Sequence, residues 1–288
     1  MAAIAWVNGE LLSPDRAAIS PLDTGFLYGE GLFETMRAYG AKVFRLPQHL
    51  HRLLTAAAEL SFTPPASQSL AGAIQEALDA SGLEDAALRL TVTPGLAGSA
   101  TPTVVVLVRP LALPPPELYA SGCHVVSVPS AHAPETPLRR IKSLNYLDKV
   151  LAQRAASHKG AHEAILVDPD GCVIEGAMRN IFAVFDGELI TPPLARGFLP
   201  GITRAAVLEI AEADSIPQAE RDLPLTQLYA ADEAFLTSSL AEILPVASTD
   251  GNPMAGCIPG PVTSTLAHGY RALVAEELGL TDDENRSG

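Results

Sequence analysis

Residues 109–122 read RPLALPPPELYASG. The run Pro114-Pro115-Pro116 favours polyproline II and excludes the interior of a helix or of a central strand. This places a linker at 113–121, between a small N-terminal α/β domain, 1–112, and a larger C-terminal domain, 122–280. The polar end, 281–288, is expected to be a flexible tail.

Before the linker, TVVVLV (103–108) is a β-branched run of strand length, and LRLTVT (88–93) alternates its faces as a second strand. LPQHLHRLLTAAAEL (46–60) sets Leu50, Leu53, Leu54, Ala57 and Ala58 at helical spacing, which predicts an amphipathic helix. After the linker, HVVSV (124–128) reads as a strand. LNYLDKVLAQRAAS (144–157) reads as a helix with Leu144, Leu147, Val150 and Leu151 on its apolar face. Two hairpins follow, turning at Pro169-Asp170-Gly171 and at Asp186-Gly187, the second a tight-turn dipeptide. GITRAAVLEIAEA (201–213) predicts a helix that starts just after Gly201. The fold class is α+β, in two domains, without repeats.

The 288 residues are 48% hydrophobic, enough to bury a core without a disulfide or metal staple. A net charge of −14 argues against nucleic acid and anionic membrane as partners, since both reward clustered Lys and Arg. No stretch approaches the ~20 apolar residues of a membrane span, and MAAIAWVNGELL lacks the basic and apolar regions of a signal peptide. Cys123, Cys172 and Cys257 have no CxxC spacing and read as reduced, buried thiols of a cytoplasmic protein. His158 and His162 have helical ligand spacing but no third ligand, so no metal is expected.

Lys142 stands between an extended segment and a helix start, flanked by Ile141 and Leu144. A partly desolvated amine there has a lowered pKa and serves as nucleophile or base, although most lysines simply face solvent. Leu199-Pro200-Gly201-Ile202-Thr203-Arg204 puts a glycine and a hydroxyl at a helix N-terminus, which suits a phosphate as well as an ordinary cap. Thr237-Ser238-Ser239 adds hydroxyls at a strand end, and Glu175 closes a strand, facing either a cationic ring nitrogen or water.

In this order, GFLYGEGLFETMR (25–37), HLHRL (49–53), IKSLNYLDKVLA (141–152), EAILVDPDGCVIEGAMRNIF (163–182), LPGITR (199–204) and DEAFLTSSLAEILPV (232–246) resemble the class IV aminotransferases. These are the fold-type IV pyridoxal-phosphate enzymes, and the resemblance spans nearly the whole chain. It implies a D-amino acid aminotransferase-like fold with pyridoxal 5'-phosphate held as a Schiff base on Lys142. It further implies Glu175 at the pyridine nitrogen, Tyr146 near the phenolate oxygen, and Arg52 on the phosphate. Gly201, Ile202 and Thr203 match the phosphate cup, Ser239 stands where a threonine is frequent, and Leu199 packs on the ring. An amino donor, a 2-oxo acid acceptor and a homodimer with shared active sites follow from the same resemblance.

The subfamily signals diverge. Ala87-Leu88-Arg89 lacks the tyrosine of the branched-chain enzymes' Tyr-x-Arg, and Thr93-Pro94-Gly95 lacks the arginine of D-amino acid enzymes and lyases. IKSLN resembles both of the latter, and Thr35 resembles the lyase. Candidate substrate residues are Phe33, Thr35, Arg37, Arg89, Arg179, Leu240 and Ala241; the arginines are candidate carboxylate clamps or ordinary exposed side chains. Transamination is the favoured reaction. The alternative is 4-amino-4-deoxychorismate lyase; below it stand a catalytically silent binding protein and a cofactor-free lysine aldolase.

Overall fold

The computed structural model describes residues 3–130 and 136–280, so the expected tail at 281–288 lies outside the described residues. The chain divides into two compact units. The first comprises Met1–Ala112, Ile141–Asn145 and Val274–Gly288; the second comprises Leu113–Arg140 and Tyr146–Leu273. An unbroken domain at 122–280 is therefore corrected. Phe33 N–H donates to the Lys142 carbonyl and Leu144 N–H to the Gly31 carbonyl, both at 2.9 Å, which stitches 141–145 onto the first unit.

In the first unit, β1 (Ile4–Val7), β2 (Glu10–Leu12), α1 (Thr24–Tyr28), β3 (Leu32–Tyr39) and β4 (Lys42–Val43) precede α2 (Leu46–Glu59) and α3 (Ser67–Ser81). Then come β5 (Ala86–Thr93) and β6 (Thr103–Pro110). The sheet has the antiparallel order β2-β1-β6-β5-β3-β4. One face, carrying Met36, Leu88, Leu90, Val92, Val104, Val106 and Val108, is buried with Leu50 and Leu53 of α2 and Leu70, Ile74 and Leu78 of α3. The α2 stripe runs through Ala56 and Ala57; Ala58 is exposed, which corrects the expected face by one residue. Residues 67–81 were not anticipated as a helix, although Leu70, Ile74, Ala77 and Leu78 carry its period.

The second unit opens with α4 (Pro116–Ser121), so the linker is helical from its third proline. Pro116 starts the helix, where its missing N–H has no intrahelical partner to lose. Next come β7 (Cys123–Pro129), α5 (Leu147–His158), β8 (Glu163–Val167), β9 (Val173–Gly176), β10 (Asn180–Phe185), β11 (Glu188–Thr191) and α6 (Ile202–Ala213). The remainder is β12 (Gln218–Glu220), α7 (Leu225–Leu228), β13 (Glu233–Ser238), β14 (Glu242–Thr249), β15 (Asn252–Pro253) and α8 (Pro261–Leu278), the last of which belongs to the first unit from Val274 on. The sheet order is β12-β11-β10-β13-β14-β7-β8-β9, with β15 beside β14. Its pairs β11/β12, β14/β7 and β7/β8 are parallel. Both expected hairpins form, and the β10–β11 turn has φ 49° at Asp186 and 82° at Gly187, the left-handed pair that a two-residue hairpin demands.

The α5 face is reversed from expectation. Lys149, Ala152 and Ala156 are buried, while Leu147 is 66% and Leu151 52% exposed. Ala152 and Ala156 pack with Ala164, Leu166, Ile174 and Phe198, where only small residues let the helix approach the strands closely. Cys123 and Cys172 are buried free thiols; Cys257 is exposed, a second correction.

Candidate active site

Strand alternation sorts the first unit's functional residues onto two faces. In the β3/β5 ladder, Phe33 lies opposite Thr91, Thr35 opposite Arg89, and Arg37 opposite Ala87. Phe33, Thr35, Arg37 and Arg89 therefore share the face away from the α2–α3 core, which brings together four of the expected substrate residues. The Phe33 ring is their centre. The Arg89 guanidinium carbon lies 3.7 Å from its centroid and Lys142 Nζ lies 4.4 Å from it. A cation over an aromatic face is held by the ring quadrupole without losing its donors. Arg37 stacks on Tyr39 at 4.2 Å along the same strand.

Glu34 points to the opposite, helix-covered face. It is 1% exposed and accepts from Arg52 Nε at 2.8 Å and Nη2 at 2.5 Å, and bonds His49 Nδ1 at 2.7 Å. Burial opposes its ionisation, yet the Arg52 charge and the His49 hydrogen bond hold the carboxyl down at about 2. Burial also lowers the His49 pKa, against the pull of Glu34. Arg52, the expected phosphate arginine, is thus clamped from behind in a bidentate pair. His51, two residues after His49, is exposed, so His49 is the histidine built into this cluster.

In the second unit, Glu175 on β9 is 4% exposed and accepts from Lys149 Nζ at 2.6 Å. Burial disfavours the Lys149 ammonium, but Glu175 and then Tyr146 outweigh it, so its pKa is raised. Tyr146 stands just before α5, with its ring centroid 5.3 Å from Lys149 Nζ. On β8, Glu163 accepts from Met178 N–H at 2.6 Å and pairs with Arg179. Arg179, an expected substrate arginine, commits its Nη1 to that pair. Burial pushes the Glu163 pKa up against the Arg179 charge. A Cβ on Gly176 would lie 2.9 Å from the Arg179 carbonyl and 3.0 Å from Glu163, so this turn has no room for another residue.

The α6 N-terminus forms a separate corner of the second unit. Gly201 is its N-cap, and a Cβ there would collide with Asn180 Oδ1. Asn180 Nδ2 donates to the Leu199 carbonyl at 3.0 Å and so fixes the approach to the helix. Asn180 pairs across the ladder with Thr237, whose buried Oγ1 has no hydrogen-bond partner. Ile202 and Thr203 open the helix, and Thr203 is 2% exposed. First-turn N–H groups, a helix dipole and an orphaned buried hydroxyl are each suited to an oxyanion. These residues fit a phosphate group. Ser239, Leu240 and Ala241 form the next turn, where Ala241 N–H donates to Ser238 Oγ at 3.2 Å.

Four participants escaped the sequence reading: Glu34, Lys149, Asn180 and Glu163. The available signal for Lys149 was a lysine at an apolar phase of the α5 helix. His162, weighed as a metal ligand, instead accepts the His124 N–H on Nδ1 at 3.0 Å. Among the described residues no helix is long and apolar enough to cross a membrane.

The model of the amino-transferase class IV family matches residues 31–249, and the chain belongs to that family. It is 36% identical over 275 residues to a putative branched-chain-amino-acid aminotransferase of Methanocaldococcus jannaschii, covering 92% of this chain and 94% of that one. It is 32% identical over 282 residues to the D-alanine aminotransferase of Bacillus licheniformis, covering 95% and 98%. The branched-chain amino acid aminotransferase of Escherichia coli superposes with a TM-score of 0.89 at 30% identity, covering 98% and 97%. The fold is fold-type IV and the enzyme is a class IV transaminase, of a family that uses pyridoxal phosphate. These relatives are aminotransferases, which favours transamination over the lyase alternative.

Proposed function

We propose that this transaminase moves an amino group between an amino acid and a 2-oxo acid on a pyridoxal phosphate attached to Lys142. The reading is carried by one observation: Lys142 Nζ and the Arg89 guanidinium lie over the same Phe33 ring. A nucleophilic amine and a carboxylate-binding fork are then one aromatic ring apart. Because Arg179 is tied to Glu163, Arg89 is the arginine assigned to the substrate carboxylate. Phe33, Thr35, Leu240 and Ala241 are assigned to the substrate side chain.

Pyridoxal phosphate, when bound, supplies an electron sink that makes the substrate's α-proton labile. Lys142 would take that proton and return it, general acid–base work within hydrogen-bond reach. Glu175 holds a proton on the ring nitrogen by presenting a buried carboxylate to it. The first turn of α6, with Thr203 and the hydroxyls of Thr237 and Ser239, would hold the phosphate, and Arg52 is the arginine that the family resemblance assigns to it. Leu199 would pack on the ring, and Tyr146 would serve the phenolate oxygen.

The assembly is proposed as a homodimer in the cytoplasm. Phe26 is 68% and Tyr28 72% exposed on α1, with Leu22 at 64% just before it, an apolar surface suited to a second copy. Light scattering that finds an active monomer contradicts the dimer.

The function is tested by adding D-alanine, D-glutamate, L-glutamate, L-leucine or (R)-phenylethylamine to the yellow protein. At least one donor is expected to bleach the visible band, and a 2-oxo acid to restore it. Arg89→Ala is expected to raise KM for amino acids and to spare the carboxylate-free amine. A band that recovers without 2-oxo acid, with pyruvate released from aminodeoxychorismate, refutes the reading.

A further inference from the structure

We propose that Lys149 is a positioning residue for Glu175, whose ammonium fixes the carboxylate and supplies the charge that keeps it an anion. The proposal rests on the role given to Glu175 above. Its geometry is local to the second unit. Lys149 Nζ donates to Glu175 Oε1 at 2.6 Å, and the two residues are 9% and 4% exposed. They come from different elements, the first turns of α5 and the strand β9, so the pair is set by packing.

The physical need for a cation there is plain. A buried carboxylate with no opposite charge beside it takes up a proton, because a lone ion is costly in low dielectric. A protonated Glu175 is a donor or a weak acceptor and cannot hold a proton on a ring nitrogen. Lys149 removes that outcome in advance, before any ligand arrives. Its surroundings support the assignment. Tyr146 and Asp148 beside it, Glu175 on β9 and Glu163 on β8 all face the ammonium electrostatically. Glu163 is already matched by Arg179, and Arg139, 8% exposed, lies within the field of Glu175. Asp148, Glu163 and Glu175 are thus set against Lys149, Arg179 and Arg139, and Asp168, which also faces Arg139, is matched by Arg196.

The consequence is read at the ring nitrogen and does not require turnover. Pyridoxal phosphate labelled with 15N in the ring is bound to the full chain, and its nitrogen shift is followed over roughly pH 6 to 9. In the wild type the nitrogen is expected to stay protonated across the window. In Lys149→Met it is expected to titrate inside it, with the midpoint lowered by about one unit or more, a tenfold loss of proton affinity. Lys149→Arg is expected to restore the wild-type course. Lys149→Gln keeps a donor without the charge and is expected to follow Lys149→Met; it also serves if the methionine variant does not fold. A wild-type course in either neutral variant overturns the proposal while leaving Glu175 in place. Wild-type protein that binds no pyridoxal phosphate, or binds it with the ring nitrogen unprotonated, overturns the role of Glu175 and this proposal together.

Discussion

Each unit buries a glutamate beside an arginine, and the two acids respond in opposite directions. Glu34 in the first unit is pulled down to about 2, while Glu163 in the second is pushed up. Burial is nearly complete for both, at 1% and 0% exposed, so desolvation does not separate them. The donors do. Glu34 receives both Nε and Nη2 of Arg52 and bonds His49, whereas Glu163 has one guanidinium nitrogen and one backbone N–H. A buried ion pair is stabilising only when hydrogen bonds replace the lost water on most of its lone pairs. Arg52 is therefore held by its acid through two nitrogens, and Arg179 by its own through one.

The largest expected effect tests where the covalent chemistry lies. Borohydride-reduced protein should carry the label on Lys142, and Lys142→Ala should lower turnover by about 10³-fold or more. A label on Lys149, the other lysine near aromatic and acidic groups, would move the chemistry to the second unit.

Mutating the two acids sharpens the comparison next. Glu34→Gln should cost about 3 kcal/mol in urea unfolding, because it removes the buried anion that balances the part-buried Arg52. Glu163→Gln should cost about 1 kcal/mol, since its carboxyl gains little from ionising. Equal costs would break the distinction drawn here.

The pH course follows from the sign of the Glu34 shift. Its folded pKa of about 2 lies below the ordinary 4.5, so its stabilisation is complete above 4.5 and is lost as pH falls from there through about 2. Acid titration of the wild type should therefore show a loss of about 3 kcal/mol in that window. Glu34→Gln should flatten it, as followed by urea midpoints at each pH. An identical slope in the variant would remove Glu34 as the cause.

The smallest effect is expected at the phosphate corner. Gly201→Ala forces Asn180 aside and should weaken pyridoxal phosphate binding by roughly tenfold while costing about 1 kcal/mol of stability. Unchanged affinity in a titration of the apoprotein would show that the corner tolerates a methyl group.

Local pattern set much of this protein by itself. Strand runs such as 103–108, the Asp186-Gly187 turn and the helix opening after Gly201 depend on dihedral and burial periods that a short window carries. Lys142, Glu175 and the glycine-led helix start were legible as residue types in an order. What tertiary structure alone decided is which side of each element is inside. Leu147 and Leu151 look like the core of α5, but Lys149 is buried there because a carboxylate on β9 compensates its charge. Arg89 and Arg179 look alike in sequence; strand register sends the first to the Phe33 ring, and the bend between β9 and β10 sends the second to Glu163. Segment 141–145 lies next to the second unit's helix in sequence, yet it hydrogen-bonds to β3 and the residue before it. Partners that are distant along the chain fix charge, face and membership, and no local pattern holds that information.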